Sequence, residues 1–256
     1  MNLVCAAIIA FSMYSRIPMP RIEWTKERMR YMMCFFPLVG AAIGILMLLW
    51  MHFGRMIFGE GNLFTAVLIL IPVIVTGGIH MDGFLDTSDA LSSYKSMEEK
   101  LEILKDSHTG AFAVLMCGCY FVLDFGVFSE VNMEIMKVLA TGFVLSRIMS
   151  GLSIVTFKKA KNTGLAASFS DMAQRRTVGC VLGACFVICA AVMIAADPFF
   201  GTVCLLTAVC VFVFYRSLSY RKFGGITGDL AGFFLQVCEL AMALAAVTAQ
   251  NIVQIH

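Results

Sequence analysis

The feature that most constrains this chain is a series of apolar blocks, each about as long as a membrane-crossing helix. A helix needs roughly 20 apolar residues to cross the hydrocarbon core of a bilayer. Backbone amides find no water there, so a crossing segment must be helical or belong to a closed barrel. Barrel strands alternate in hydropathy over about 10 residues, a pattern that these blocks lack. The sequence therefore predicts an all-α, polytopic helical bundle embedded in the lipid bilayer.

The blocks place seven spans along the chain. Of its 256 residues, 60% are hydrophobic and 14% are charged, whereas a typical soluble domain has about 25% charged residues. The stretch from Leu3 to Tyr14 is too short for a comfortable span, and without a basic leader it does not look like a cleavable signal peptide. We therefore expect a short apolar helix there, as part of one membrane-embedded domain that covers residues 1–256. The expected spans are about 31–53, 62–79, 109–128, 135–157, 178–196, 198–215 and 230–253.

Basic residues are concentrated in four segments between or before these spans. With strict alternation all four segments lie on one side of the membrane, and only Arg55 and Lys137 lie on the other. The positive-inside rule makes the richer side cytoplasmic, so we expect a multi-pass protein of the cell (inner) membrane. Its two long loops, about 77–107 and 158–177, would face the cytoplasm. The basic residues are Arg16, Arg21, Lys26, Arg28, Arg30, Lys95, Lys100, Lys105, Lys158, Lys159, Lys161, Arg175, Arg176, Arg216, Arg221 and Lys222.

Two other classes of protein do not fit the composition. A net charge of +2 without a basic patch on a soluble surface argues against nucleic-acid binding. The ten cysteines are scattered through apolar blocks, with no C-x-x-C and no Cys/His spacing suited to zinc. We interpret them as small hydrophobic side chains.

The segment from Thr76 to Asp89 is the strongest candidate for chemistry. Asp82, Asp86 and Asp89 follow one another at i, i+4 and i+7, so a helix would place all three carboxylates on one face. Such a face repels itself unless a cation lies against it, and Mg²⁺ takes one or two carboxylates together with phosphate oxygens and water. A further acid, Asp106, follows 17 residues after Asp89. We predict that these four acids are catalytic and bind Mg²⁺; the plain alternative is a solvated acidic face.

Neighbours of the carboxylates add to the predicted site. The Gly77–Gly78 pair lets the backbone approach a ligand closely, and we assign it to substrate binding. His80 is a candidate catalytic residue, but a metal ligand, a base, a phosphate contact and a plain interfacial histidine all remain open. Ionisable residues at a membrane boundary are costly and usually functional, which favours a site over a solvated surface.

A second glycine-rich segment precedes the last span on the same side. Its backbone N–H groups, at the start of a helix, are suited to bind phosphate. The predicted substrate-binding residues here are Gly224, Gly225, Thr227, Gly228 and Asp229.

Arg147 and Glu239 fall inside predicted spans. A charge at mid-membrane costs at least about 2.5–3.5 kcal/mol on insertion scales, so Arg147 and Glu239 should both face the interior of the bundle. A purely structural contact between helices, including a pairing of the two, is one explanation. A functional role at the site is the other.

Taken in order, these motifs resemble the cobalamin synthase family, adenosylcobinamide-GDP ribazoletransferase. The segment from Thr76 to Asp89 is similar to the family signature T-G-G-x-H-x-D-G-x-x-D-T-x-D, which is specific. Weaker matches cover nearly the whole chain: Phe11 to Pro20, Phe36 to Gly40, Glu102 to Gly110, Ser146–Arg147 and Gly224 to Asp229. Two small residues, Ala90 and Ala113, stand where the family has glycine.

The resemblance implies a Mg²⁺-dependent membrane transferase of the cobalamin nucleotide-loop pathway. It would join adenosylcobinamide-GDP to α-ribazole or its 5′-phosphate, giving adenosylcobalamin or its phosphate and GMP. By the same resemblance, one of the aspartates would also serve as general base, and Lys105 and Arg147 would bind phosphate.

Three other functions are weighed against this one. A CDP-alcohol phosphotransferase shows D-x-x-D-G-x-x-A-R, but Ala90, Ser93 and Tyr94 stand at its G, A and R positions. A transporter would place its acids at mid-span near broken helices, whereas these acids cluster outside the spans. A structural membrane subunit leaves four carboxylates beside a glycine pair unexplained.

Overall fold

The computed structural model describes residues 2–106, 108–160 and 174–255, and helices dominate this part of the chain. No β-strand occurs in these residues, and one isolated bridge joins Lys159 to Ile226. The helices are α1 Asn2–Tyr14, α2 Lys26–Met29, α3 Phe36–Leu49, α4 Arg55–Phe58, α5 Asn62–Thr76, α6 Ile79–Ser92, α7 Met97–Ile103, α8 Ala111–Ser129, α9 Met133–Thr156, α10 Arg175–Ala196, α11 Pro198–Phe223 and α12 Gly228–Ile255.

The predicted polytopic bundle is confirmed. Within the described ranges, six helical segments are long and apolar enough to cross a membrane; the first runs from Met32 to Phe58 through α3, a π-helical turn and α4. The pair α5–α6, bent by 94°, makes a seventh if it is counted as one span. The short apolar helix expected at the N-terminus is α1. Helix α9 lies at the centre and packs against α3, α10, α11 and α12.

Two of the expected boundaries are wrong. The segment expected as a loop over 77–107 is mostly helical, comprising α6 and α7. Polar residues made it look like a loop, but Ser96 and Glu99 form a reciprocal cap that begins α7. Helix α11 continues to Phe223, past the apolar block that predicted an end near 215, because a helix does not stop where its side chains become charged; its last turn carries Arg221 and Lys222. In the other expected loop, residues 161–173 lie outside the described residues.

The four basic segments meet at one end of the bundle. The backbone N–H of Arg16 donates to Val75 O at 2.7 Å, directly before α6. Ala160 N–H donates to Ile226 O at 3.0 Å, which joins the segment after α9 to the turn before α12. Gln174 N–H donates to Arg30 O at 3.3 Å. This is the clustering that the distribution of basic residues predicted, although the side of the membrane is a separate question.

Candidate functional site

The site begins at a sharp bend between α5 and α6. Gly77 and Gly78 both have positive φ, at 64° and 81°, and their N–H groups donate to Ile74 O and Val73 O to close the end of α5. The side chain of Arg16 lies over Gly77, where a Cβ would be 2.4 Å from Arg16 Nε. The bend of 94° turns α6 nearly perpendicular to α5, so the acidic helix does not continue in the direction of α5.

Close packing of α6 on α12 brings a further carboxylate to this acidic helix. At Gly83 a Cβ would be 2.7 Å from the backbone oxygen of Asp229, so the two backbones nearly touch. The rings of Phe84 and Phe233 stack beside this contact, with centroids 5.6 Å apart. Asp229, in the first turn of α12, therefore lies next to the face of α6 that carries the three aspartates.

The carboxylates of this cluster act on one another electrostatically. Partial burial, and after it the negative charges of Asp82, Asp229 and Asp89, together raise the pKa of Asp86 to about 6. The four residues are called the aspartate cluster below. A cation bound here would relieve the repulsion among the carboxylates. Carboxylate oxygens are hard donors, which Mg²⁺ prefers, so the residues present fit this ion.

Asp89, the last aspartate of the cluster on α6, packs against the residue that precedes α8. A Cβ on Gly110, the residue before α8, would lie 2.2 Å from Asp89 Oδ1. Glycine at this position thus leaves room for the Asp89 carboxylate.

Two predicted site residues lie apart from the cluster. Asp106 is exposed, and its Oδ1 accepts the N–H of His108 at 3.0 Å; hydrogen bonds from His108 lower its pKa. Lys105 forms an exposed ion pair with Glu102 at 2.8 Å. Nowhere in the described ranges do three or more His, Cys, Asp or Glu side chains already stand in a metal-binding arrangement. A Mg²⁺ centre that includes Asp106 therefore stays a prediction.

A pocket of about 280 Å³ opens beside the aspartate cluster. Asp82, Gly228, Asp229 and His80 are among the residues that line it. His80 is 3% exposed, and its Nε2 has no hydrogen-bond partner among the described residues. The pocket is therefore lined by both carboxylate and aromatic side chains. Its remaining lining residues are Met13, Tyr14, Met33, Phe36, Ile79, Ser150, Ile154, Ala231, Gly232 and Leu235.

The second glycine segment forms the turn between α11 and α12. Gly224 ends α11 with φ of 74°, and Gly225 packs against the backbone of Lys158. The hydroxyl of Thr227 accepts the N–H of Leu230 at 3.2 Å and so caps α12. Of the five residues predicted to bind substrate here, Gly228 and Asp229 line the pocket. The other three shape the turn.

Arg147 and Glu239 face the bundle interior, as predicted, and they pair with each other. Arg147 is 0% exposed, and its Nη1 donates to Glu239 Oε1, to Ser146 Oγ at 3.0 Å and to Phe143 O at 3.2 Å. Neither residue lines the pocket. This geometry favours the structural explanation, while phosphate binding by Arg147 remains a prediction.

Sequence reasoning missed part of the site. It assigned Asp229 to substrate binding, not to the carboxylate group, since no spacing along the chain shows that α12 packs on α6. It also passed over Tyr14 and Phe36, which line the pocket from α1 and α3. Both lie in or beside the short motifs of the first 40 residues, which were the available signal.

Comparisons with known proteins point to one family. The sequence profile of cobalamin-5-phosphate synthase matches residues 6–247. An adenosylcobinamide-GDP ribazoletransferase of Lachnoclostridium phytofermentans is 46% identical, covering 96% of this chain and 94% of its own length. Proteins with the same description from Clostridium perfringens and a Geobacillus species are 32% and 33% identical, covering 90% and 86% of this chain and 92% and 86% of their own lengths. No solved structure matches.

Proposed function

The chain belongs to the cobalamin-5-phosphate synthase family, and we propose that it transfers the cobinamide phosphate of adenosylcobinamide-GDP to α-ribazole or its 5′-phosphate. The products are adenosylcobalamin or its phosphate, and GMP. The observation that carries the proposal is the aspartate cluster beside a pocket, at the end of a membrane bundle. Phosphoryl transfer requires a cation that neutralises phosphate charge, and a cluster of carboxylates is suited to hold one.

The reaction exchanges one phosphorus–oxygen bond for another. A ribose hydroxyl of the ribazole attacks the phosphorus that carries the cobinamide, the bridging bond to GMP breaks, and GMP leaves with the bridging oxygen. We propose that a carboxylate of the cluster accepts the hydroxyl proton. Asp82 and Asp229 line the pocket, which supports a role for them in orienting that hydroxyl.

We propose that Asp82, Asp86, Asp89 and Asp229 hold Mg²⁺, with Asp106 as a further candidate. When bound, the ion neutralises charge on the diphosphate and orients it. The residues of the chain then bind the ribazole, exclude water and receive the proton of the attacking hydroxyl. Gly228, the exposed first residue of α12, leaves space beside Asp229 for substrate, since no atom lies within 4 Å of where its Cβ would be.

We also propose that the active end faces the cytoplasm in the cell (inner) membrane. The basic segments that meet at this end support that orientation by the positive-inside rule. Seven spans then put the C-terminus outside. Alkaline phosphatase fused after the last residue should be active in cells, and the same enzyme fused at Tyr94 should be inactive. The reverse pattern would invert the topology.

The activity is tested directly with purified protein in detergent. Adenosylcobinamide-GDP, α-ribazole and Mg²⁺ are supplied, and mass spectrometry follows both products. We expect cobalamin and GMP in equal amounts. GMP released equally well without ribazole would indicate a hydrolase instead, and transfer to a lipid alcohol would indicate a phospholipid synthase.

A further inference from the structure

The pocket beside the aspartate cluster is more apolar than phosphate binding requires. Phosphate oxygens call for N–H groups and cations, whereas most of this lining consists of hydrocarbon and thioether side chains. Its two carboxylates, Asp82 and Asp229, lie close together where α6 packs on α12 at Gly83. A ligand that fills this space therefore has an apolar body and a polar end.

Three rings form an aromatic wall within the pocket. The centroids of Tyr14 and Phe36 are 4.3 Å apart, and His80 lies 6.0 Å from Tyr14, nearly parallel to it. Phe36 meets His80 edge-on at 5.9 Å. Such walls favour flat rings, which gain contact with ring faces and edges.

The size and polarity of the pocket discriminate among the rings of the two substrates. About 280 Å³ is at the lower end of small-molecule sites and is far too small for a corrin. Guanine carries donors and acceptors on several edges, and burying them without partners is costly. Besides the two carboxylates, the polar side chains that line the pocket are His80, Tyr14 and Ser150. The dimethylbenzimidazole of ribazole has two methyl groups and a single free ring nitrogen, so it suits this lining better.

We infer that this pocket, between α1, α6, α9 and α12, binds the base of α-ribazole, an inference that rests on the proposed function. The base lies against Tyr14, Phe36 and His80, and the attached ribose reaches toward Asp82 and Asp229. This arrangement brings the attacking hydroxyl to the aspartate cluster. Adenosylcobinamide-GDP then approaches the cluster from outside the pocket.

A matched pair of substitutions on α9 tests the inference. Ile154, 5% exposed, lines the pocket, whereas Ile148, 1% exposed on the same helix, does not. Ile154→Ala removes hydrocarbon from the wall and should raise the KM for α-ribazole at least about tenfold. The KM for adenosylcobinamide-GDP should stay within about twofold of wild type. Ile148→Ala removes the same atoms from the core and should change neither KM, although both variants lose thermal stability.

Each other outcome has a definite meaning. A rise in the KM for adenosylcobinamide-GDP alone would overturn the inference and place guanine in the pocket. Equal effects of Ile154→Ala and Ile148→Ala would overturn it as well. If the wild-type protein turns over neither substrate, the proposed function fails. In that case the change in Tm on adding α-ribazole alone tests whether the pocket binds it. An increase in Tm that Ile154→Ala abolishes and Ile148→Ala retains would support the pocket, and any other pattern would overturn it.

Discussion

Arg147 on α9 donates to Glu239 on α12 in the interior of the bundle, where both side chains are buried. Ser146 Oγ also donates to Glu239 Oε1, at 2.8 Å. A second acid, Asp124 on α8, lines the same small cavity as Glu239 and is 6% exposed. The pair therefore ties the central helix to the helix that carries Asp229, and Arg147 neutralises the buried Glu239 carboxylate.

Removing one member of this pair should destabilise the protein more than removing both. Arg147→Met leaves Glu239 buried without its cation, which costs about 3–5 kcal/mol. The double variant Arg147→Met with Glu239→Gln leaves no unpaired charge at the contact, so it should recover most of the lost Tm in detergent. If Arg147 served substrate instead, Arg147→Lys would keep the wild-type Tm and raise only the KM for adenosylcobinamide-GDP.

The spans and the acidic stripe were predictable because their causes are local. The thickness of a bilayer fixes the length of an apolar helix, and spacing at i, i+4 and i+7 fixes a shared face within α6. The contact of Asp229 with the cluster depends on how α12 crosses α6 at Gly83, which no single segment encodes. The same holds for the pairing of Arg147 with Glu239. Asp106 follows α7 in sequence, yet in the structure it bonds to His108.

The bend before α6 should be sensitive at one glycine and tolerant at the next. Gly78 has φ of 81° and no atom within 4 Å of its Cβ position, so Gly78→Ala bears only the backbone cost of about 1–2 kcal/mol. Gly77→Ala bears a similar cost and also meets Arg16, whose backbone is held by Val75. We expect a lower Tm and less activity for Gly77→Ala than for Gly78→Ala. Equal losses would mean that the contact with Arg16 has no role in the bend.

The contact between Gly110 and Asp89 provides a probe of the cluster from outside α6. Gly110 has φ of −78°, so Gly110→Ala strains no backbone angle, but its methyl group must displace the Asp89 carboxylate. Turnover should fall at least about tenfold while Tm changes little. Gly118→Ala is the control: this residue of α8 has open space around it, and alanine there favours the helix by up to about 1 kcal/mol. Normal turnover in Gly110→Ala would show that the position of Asp89 does not matter.

Magnesium should stabilise the protein through the aspartate cluster. The four carboxylates repel one another, and a ligand that binds only the folded state raises its stability by mass action, by about 2.7 kcal/mol at 100 times its Kd. Wild-type Tm should therefore rise with Mg²⁺. Asp86→Asn is nearly isosteric and removes one charge from the centre of the cluster. Without metal it should be as stable as wild type or more so, yet it should lose both the Mg²⁺-dependent rise and turnover.

The comparison that isolates the cluster is Glu98→Gln, which removes an exposed carboxylate from α7. This variant changes the net charge at this end of the protein but leaves the aspartate cluster intact. It should therefore keep the Mg²⁺-dependent rise in Tm and near-normal turnover. Asp89→Asn and Asp229→Asn should behave like Asp86→Asn if the cluster binds one ion as a unit. Should Asp86→Asn and Asp89→Asn both retain turnover and the response to Mg²⁺, these acids form a solvated face, and the chemistry must lie elsewhere in the bundle.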